Sequence, residues 1–473
     1  MLTKEQNQII GTEPKQGETV LVSAYAGTGK TATLRMFAEK RPDSKMLYLA
    51  FNRAIAQEAQ EKFADMPHVE ARTIHSLAFK SKGYAYKSRL GNIRAYDLQN
   101  QGIADNFFEA KQVLNAFGTY LASSQKHFKD AVFGFRDKPK IVKRMSGLWE
   151  LIENSGFTVP HDFYLKKFQL NGAALDYDYI LVDEAQDLTD CVIDIVQKQS
   201  ARKIFVGDTH QQIYAWKGAV DSLQKLNSNA SQFYLTQSFR CPENAAKTAN
   251  QYLKLLGAPK EFRGLSSPGV SNRQTAYIAR TNASVFDRAA QIDLKQNRVH
   301  FLGGFDSYNF RAIVDASYLL NKKPKQMSDP FMRKFKSVEQ FERYVDEAEE
   351  IDLKVRLDIA KKIKNAEAIY NYLRSNCVSQ QSDADIVLTT AHKVKGQEFG
   401  TVHVLDDFVD INNVLKRARK EGKAQLRAEE LNLIYVAMTR TQNKLHVSPY
   451  MVPTEKTVAQ FKKLWGQGKI EFV

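Results

Sequence analysis

The stretch Ser23–Leu34, SAYAGTGKTATL, lies between an apolar run, Val20-Leu21-Val22, and the helical pattern that opens at Ala32-Thr33-Leu34. The small residues Ala26, Gly27 and Gly29 let the backbone turn tightly between the two, so the segment reads as strand, loop and helix. In that geometry the N–H groups of Ala26, Gly27, Thr28 and Gly29 and the helix N-terminus face a polyphosphate. Lys30 reaches the outer phosphates and the Thr31 hydroxyl serves Mg²⁺. The pattern G-x-x-x-x-G-K-[ST] is broken at its first position, where Ala24 stands. Alanine adds only a methyl group there, and Gly27 and Gly29, closest to the phosphates, are kept. A glycine-rich turn that binds nothing is the alternative; the Lys30-Thr31 pair in this context weighs against it.

Composition bounds the use of that nucleotide. A chain of 473 residues with 43% hydrophobic content supports several cored domains. A net charge of +15 biases the whole chain toward a polyanion, with nucleic acid the first expectation and a merely solvated basic surface the alternative. Cys191, Cys241 and Cys377 lie far apart without a C-x-x-C pair, which argues against a disulfide framework or ordinary zinc site and for a reduced compartment. The N-terminus lacks a basic segment followed by an apolar one, and no window is long and apolar enough to cross a bilayer. The expectation is a soluble intracellular protein with no membrane partner: cytoplasmic and nucleoid-associated in a bacterial or phage setting, nuclear in a eukaryotic one. KRARK, Lys416–Lys420, imitates a nuclear signal but sits in a charged segment that reads as a solvated face.

Two further segments supply partners for the loop. In YDYILVDEAQDL the apolar strand Tyr179–Val182 ends in Asp183 and Glu184. Two carboxylates at a strand end can divide labour, Asp183 positioning a metal and Glu184 polarising the water that attacks a γ-phosphate. Acidic residues after a strand also favour a helix N-terminus, which is the bland alternative. In KIFVGDTHQQIYAWKGAV, Asp208 and Gln211 follow an apolar strand and suit γ-phosphate sensing, with Tyr214 and Trp216 close behind. Trp216 is a candidate stacking platform for a single strand, worth about 1 to 3 kcal/mol per base, or else a core tryptophan.

Six motifs, AYAGTGKT, VDEAQD, VGDTHQQIYAWKGAV, LTQSFR, TAHKVKGQEF and IYVAMTRTQNKL, stand in this order. Together they resemble motifs I to VI of the superfamily 1A helicases of the UvrD/Rep/PcrA type, in which alanine is common at the position of Ala24. YLAFNRAIAQEAQEKF, ARTIHSLAF and AHKVKGQEFGTVHVLDDF are most similar to the helicase core of the F-box DNA helicases; no F-box precedes the core in this sequence.

The resemblance implies roles for particular residues. Gln6 corresponds to the glutamine that reads adenine, Phe239 to the aromatic that stacks on it, and Glu398 to the carboxylate that binds ribose. Arg240 and Arg440 match the arginines that meet the γ-phosphate from the second motor domain, fingers worth about 10³ to 10⁵ in rate. Along the DNA track it implies Phe51 and Asn52, then Thr73, His75 and Ser76, then Arg280 and Asn282, and finally Thr390 and His392. A Thr-x-His-Ser turn can equally cap a helix. Two departures stand out: Lys217 replaces an arginine and loses its planar fork, and Lys393 replaces a small hydroxyl residue.

The fold expected is α/β: two RecA-like P-loop NTPase motor domains with a helical 1B insertion and a reduced 2B insertion. The boundaries are 1–80 with 174–234 for domain 1A, 81–173 for 1B, 235–320 with 384–473 for 2A, and 321–383 for 2B. Most of the aromatics of 1B, among them Phe107, Phe108, Phe128, Phe133 and Phe135, are expected in its core. The implied function is an ATP- and Mg²⁺-dependent 3′-to-5′ DNA helicase acting on single strands and single/double-strand junctions. A translocase that strips a recombinase filament or single-strand-binding protein, and an RNA-directed ATPase, remain open.

Overall fold

The computed structural model describes residues 2–132, 134, 137–214, 218–265, 273–348 and 351–473. The chain divides into two compact units, Met1–Leu235 and Thr236–Val473. Leu235 is the last residue of a strand in the first sheet.

The first unit is built on six parallel strands: β1 (Thr19–Ala24), β2 (Met46–Ala50), β3 (Val69–Thr73), β4 (Tyr179–Val182), β5 (Arg202–Gly207) and β6 (Ser231–Leu235). They lie in the order β3-β2-β4-β5-β1-β6. Strands β1, β2 and β4 are nearly continuous apolar runs, because helices cover both faces of a parallel sheet. Val20 registers with Ile204 on one side and Ser231 on the other, which puts the loop after β1 well inside the sheet. An open parallel sheet gathers function at the carboxyl ends of its strands. Lys30, Phe51, Thr73, Asp183 and Asp208 all lie at or just beyond such ends.

Between β3 and β4 the chain forms helices, the longest being Phe107–Ala122, Lys138–Asn154 and His161–Leu170. They join the core on one side of the sheet: Ala110, Val113, Met145, Leu148 and Phe163 cluster with Leu47, Leu49, Ile180 and Val182. Trp149 and Phe163 approach to 4.4 Å between ring centroids, with Phe128 and Tyr120 against them. Phe128 therefore packs as expected, but Phe107 and Phe108 are exposed. They occupy the first turn of their helix, after the Asn106 cap and before the helix reaches the core. Phe133 and Phe135 lie outside the described residues.

The second unit begins with β7 (Gln237–Pro242) and β8 (Arg263–Leu265), a parallel pair. Its main sheet contains β9 (Thr275–Ala279), β10 (Val299–Phe301), β11 (Ile386–Thr390), β12 (Phe399–Val404) and β14 (Thr441–His446). These five strands lie parallel in the order β10-β11-β9-β12-β14. A separate pair joins β13 (Ala424–Leu426) to β15 (Ile470–Phe472). Residues 321–383 contribute helices Val338–Ala348, Ile351–Lys362 and Ala366–Asn376, whose Phe341, Leu357 and Leu373 share a core with Ile313 and Val314.

Candidate nucleotide site and nucleic-acid track

Gly27 and Gly29 take φ of 68° and 79°, the left-handed region that a side chain resists, and so the loop can fold back onto the start of helix Lys30–Glu39. No side chain caps that helix and its first turn holds no acid, so its leading N–H groups are presented to an anion. Lys30 Nζ donates to Glu184 Oε1 at 2.9 Å, and Thr31 Oγ1 donates to Asp183 Oδ2 at 3.1 Å. Burial opposes the Lys30 charge, but Glu184, Asp183 and Asp208 outweigh it and raise the pKa, so the ammonium is held charged. Burial and the neighbouring Glu184 push the Asp183 carboxyl up, against the pull of Lys30 and a hydrogen bond from Tyr48. The Tyr48 hydroxyl donates to Asp183 Oδ2; burial raises its own pKa, so it stays a donor.

Glu184 stands at φ 50°, which turns the chain sharply at the end of β4. Gln186 then spans two motifs: its Nε2 donates to Glu184 Oε2 at 2.5 Å while its Oε1 accepts from Asp208 N at 2.9 Å. Gln211 Nε2 donates to Asp208 Oδ2 at 2.7 Å, which closes a chain of hydrogen bonds from Lys30 to Gln211. Gln6 lies buried beside this group. It forms a capping box with Thr3, and its Nε2 donates to Thr33 Oγ1 at 3.3 Å, with Thr33 bonded in turn to Gly29 O.

In the second unit, Arg240 Nη2 donates to Glu398 Oε1 at 3.0 Å and Gln442 Nε2 to Glu398 Oε2 at 2.9 Å. Burial raises the Glu398 pKa, but Arg240 and Gln442 outweigh it and hold the carboxyl below its usual range. Arg440 is buried, its guanidinium donating to Val436 O at 2.9 Å and Thr439 Oγ1 at 3.3 Å. Phe239, in the same strand as Arg240, is 47% exposed. Glu398 and Arg440 precede β12 and β14, whereas Arg280, Asn282, Thr390 and His392 gather at the carboxyl ends of β9 and β11. The sheet therefore separates the two groups.

Many track residues have structural work. Asn52 Oδ1 accepts from Ile55 N at 2.9 Å and Thr73 Oγ1 from Ser76 N at 3.1 Å, so both cap helices. His75 Nε2 meets Asp162 Oδ1 at 2.9 Å. Arg280 forks onto both oxygens of Glu430 at 2.8 Å, Asn282 opens a helix capped by Thr281, and His392 lies 3.9 Å from Glu429. Thr390 is buried, its carbonyl accepting from Lys393 N and Val394 N. Lys393 Nζ donates to Ser307 Oγ at 2.5 Å and lies 4.0 Å over the Tyr308 ring. Phe51 and Tyr214 stack at 5.9 Å and 12° beside a cavity of about 830 Å³, which Phe51, His75, Leu114, Thr119 and Asp187 line. Trp216 and Lys217 lie outside the described residues.

Comparison with known proteins joins these elements. A family model described as AAA domain matches residues 6–217, the span from Gln6 past Gln211. F-box DNA helicase 1 of Gallus gallus is 30% identical over 94% of this chain and 49% of its own length. The F-box DNA helicase protein 1 of Schizosaccharomyces pombe is 29% identical over 94% of this chain and 57% of its own. The putative ATP-dependent DNA helicase YjcD of Bacillus subtilis is 22% identical over 91% and 76%.

Residues 6–217, just under half of the chain, are thus similar to an AAA domain.

The chain spans about half the length of the two F-box relatives. The sheets of parallel strands agree with the expected α/β fold. The donor set of the first unit fits a nucleoside triphosphate with Mg²⁺. An uncapped helix N-terminus and Lys30 suit phosphates, while Thr31 and Asp183 offer hard oxygen ligands to an ion that keeps several waters. Among the described residues there is no group of three or more His, Cys, Asp or Glu suited to hold a metal. Sequence reasoning missed Tyr48, Gln186, Gln442, Glu430 and Asp407. Tyr48 looked like core in the apolar strand MLYLA, and Gln186 was in plain view within DEAQD.

Proposed function

We propose that this protein is an ATP-dependent DNA helicase that translocates 3′ to 5′ on single-stranded DNA. The observation that carries the reading is the hydrogen-bonded chain Lys30–Glu184–Gln186–Asp208–Gln211 around the loop after β1. The names of the relatives and the +15 net charge support DNA as the activator. Direction rests on resemblance to the superfamily 1A branch.

In this reading Lys30 is transferred from Glu184 to the phosphates, which frees Glu184 to accept a proton from the attacking water. Thr31 and Asp183 hold Mg²⁺, which supplies Lewis-acid charge at the phosphates when bound. Gln211 senses the γ-phosphate, and Gln186 relays the position of Glu184 to the segment that carries Tyr214 and Trp216. Arg240 and Arg440 act as charge-stabilising fingers, and Phe239 and Gln6 serve the adenine. Arg240 Nε, buried and without a hydrogen-bond partner among the described residues, leaves a donor for that role. The motor domains are assigned to 1–80 with 174–234 and to 235–320 with 384–473, and the insertions to 81–173 and 321–383.

Steady-state ATPase with and without a single-stranded oligonucleotide, at two salt concentrations, tests the reading. Wild type is expected to be stimulated strongly by DNA and less so at high salt. Glu184→Gln should retain ATP binding and lose about 10²- to 10⁴-fold in turnover. Turnover indifferent to DNA, or stimulated equally by matched RNA, overturns it. Unwinding of 3′-tailed against 5′-tailed duplexes decides direction.

A further inference from the structure

The KRARK segment is not part of the site described above. It lies in helix Ile411–Lys420, which buries Ile411, Val414, Leu415 and Ala418 and turns Asn412, Asn413, Lys416, Arg417, Arg419 and Lys420 outward. The outward face holds cations and amides and no aromatic ring. Lys416, Arg417 and Lys420 make no ion pair with any described residue. Arg419 Nη2 donates to Gln460 Oε1 at 2.5 Å, which ties this helix to helix Glu455–Gly466. Lys456 and Lys463 lie one turn to either side of Gln460 on that second helix, and both are exposed. With Arg419 reaching the second helix, the six cations form a stripe across the adjoining exposed faces of the two helices. Cations in a last turn also favour the helix dipole, which covers Arg417, Arg419, Lys420 and Lys463 but neither Lys416 nor Lys456.

The basic helix follows in the chain the segment that contacts Arg280 and Thr281. Asp407 accepts from Arg280 N and Thr281 N at 2.8 Å, and Asp410, which caps the basic helix through Asn412 N, follows three residues later. We propose that this stripe grips the phosphate backbone of double-stranded DNA, the duplex arm of the substrate. The absence of rings on the outward face favours a duplex, whose bases are already stacked, over a single strand, which is held by stacking. The inference rests on the DNA-directed function proposed above.

The test is equilibrium anisotropy of a labelled blunt duplex and a labelled single strand across a salt series, without ATP. The proteins are wild type and the triple variant Lys416→Gln, Arg417→Gln, Lys420→Gln, with ATPase on single-stranded DNA read in parallel. Three lost phosphate contacts should reduce the duplex log–log salt slope by about 2.7, at about 0.9 per contact, and lower duplex affinity tenfold or more at low salt. Single-strand affinity and single-strand-stimulated ATPase should be unchanged. The independent pair Lys456→Gln, Lys463→Gln should act in the same direction, and thermal melts confirm that each variant folds. An unchanged duplex slope, or equal losses on duplex and single strand, overturns the proposal. So does a variant that loses only binding to phosphatidylserine-containing vesicles, which would mark a membrane surface. Wild-type ATPase that ignores DNA fails the function itself, a result the ATP-free duplex measurement leaves separate.

Discussion

At the residue scale, Asp183 is held by three donors of different kinds: the Thr31 hydroxyl, the Tyr48 hydroxyl and Glu184 N, the last at 2.8 Å. Removing one leaves a buried carboxylate short of a bond, which costs about 1 to 3 kcal/mol. Tyr48→Phe should therefore lower the thermal midpoint and raise the Mg²⁺ concentration needed for half-maximal ATPase, without changing the oligonucleotide requirement. The sequence marks Asp183, Glu184, Lys30 and Thr31 because their spacing is set by local turns. It hides Tyr48, because nothing in an apolar strand says that one of its rings carries a hydroxyl toward a strand 135 residues further on. Gln442 and Glu430 escape for the same reason: each finds its partner, Glu398 or Arg280, across long stretches of chain.

At the element scale, the ends of β4 and β5 are packed so closely that only glycine fits at 207. A Cβ there would lie 2.5 Å from Gln186 Oε1 and 3.0 Å from Ala185 N. Gly207→Ala should cost about 1 to 3 kcal/mol by overpacking and, by displacing Gln186, weaken DNA stimulation of ATPase more than basal turnover. The helical insertion offers a second handle. Lys166 Nζ donates to Ser123 O at 2.8 Å and Gln125 O at 2.5 Å, and lies 4.5 Å over the Tyr120 ring. Burial lowers its pKa to about 8 from 10.5. The folded protein thus releases this proton at lower pH than the unfolded chain does, and between about pH 8 and 10.5 the unfolded state binds more protons. Stability contributed by this residue therefore rises with pH across that window. Lys166→Met should flatten this component, measured as the difference in urea midpoint between pH 8 and pH 10. Periodicity predicts that the insertion is helical, but not that Phe107 and Phe108 face solvent, since exposure depends on where the helix first meets the sheet.

At the scale of the whole molecule, net charge is the property that composition states and folding distributes. Binding to single-stranded DNA should weaken linearly in log K against log salt, with a slope of about −0.7 per phosphate contact. Filter binding or anisotropy between low and moderate salt checks it, and a flat dependence would place recognition in uncharged contacts. The six- and five-stranded parallel sheets set the residues proposed for the nucleotide and for the nucleic-acid track. In the first unit they share the carboxyl ends of the strands; in the second they fall on opposite ends of one sheet. That division is not written in any motif, because a motif fixes only its own strand end.

By itself the sequence determined the loop after β1, the acidic pair after β4, the alternation of strand and helix, and the family those motifs resemble. Each depends on backbone conformation over a few residues, which glycine, apolar runs and residue type control directly. Only the tertiary structure decided that Tyr48 bonds Asp183, that Gln186 bridges Glu184 and Asp208, and that Asn52 and Thr73 cap helices. It also paired Arg280 with Glu430, and set the cations of Ile411–Lys420 in line with those of Glu455–Gly466. Those contacts join positions far apart in the chain, and they exist only once packing of the apolar faces has fixed which helix lies against which strand.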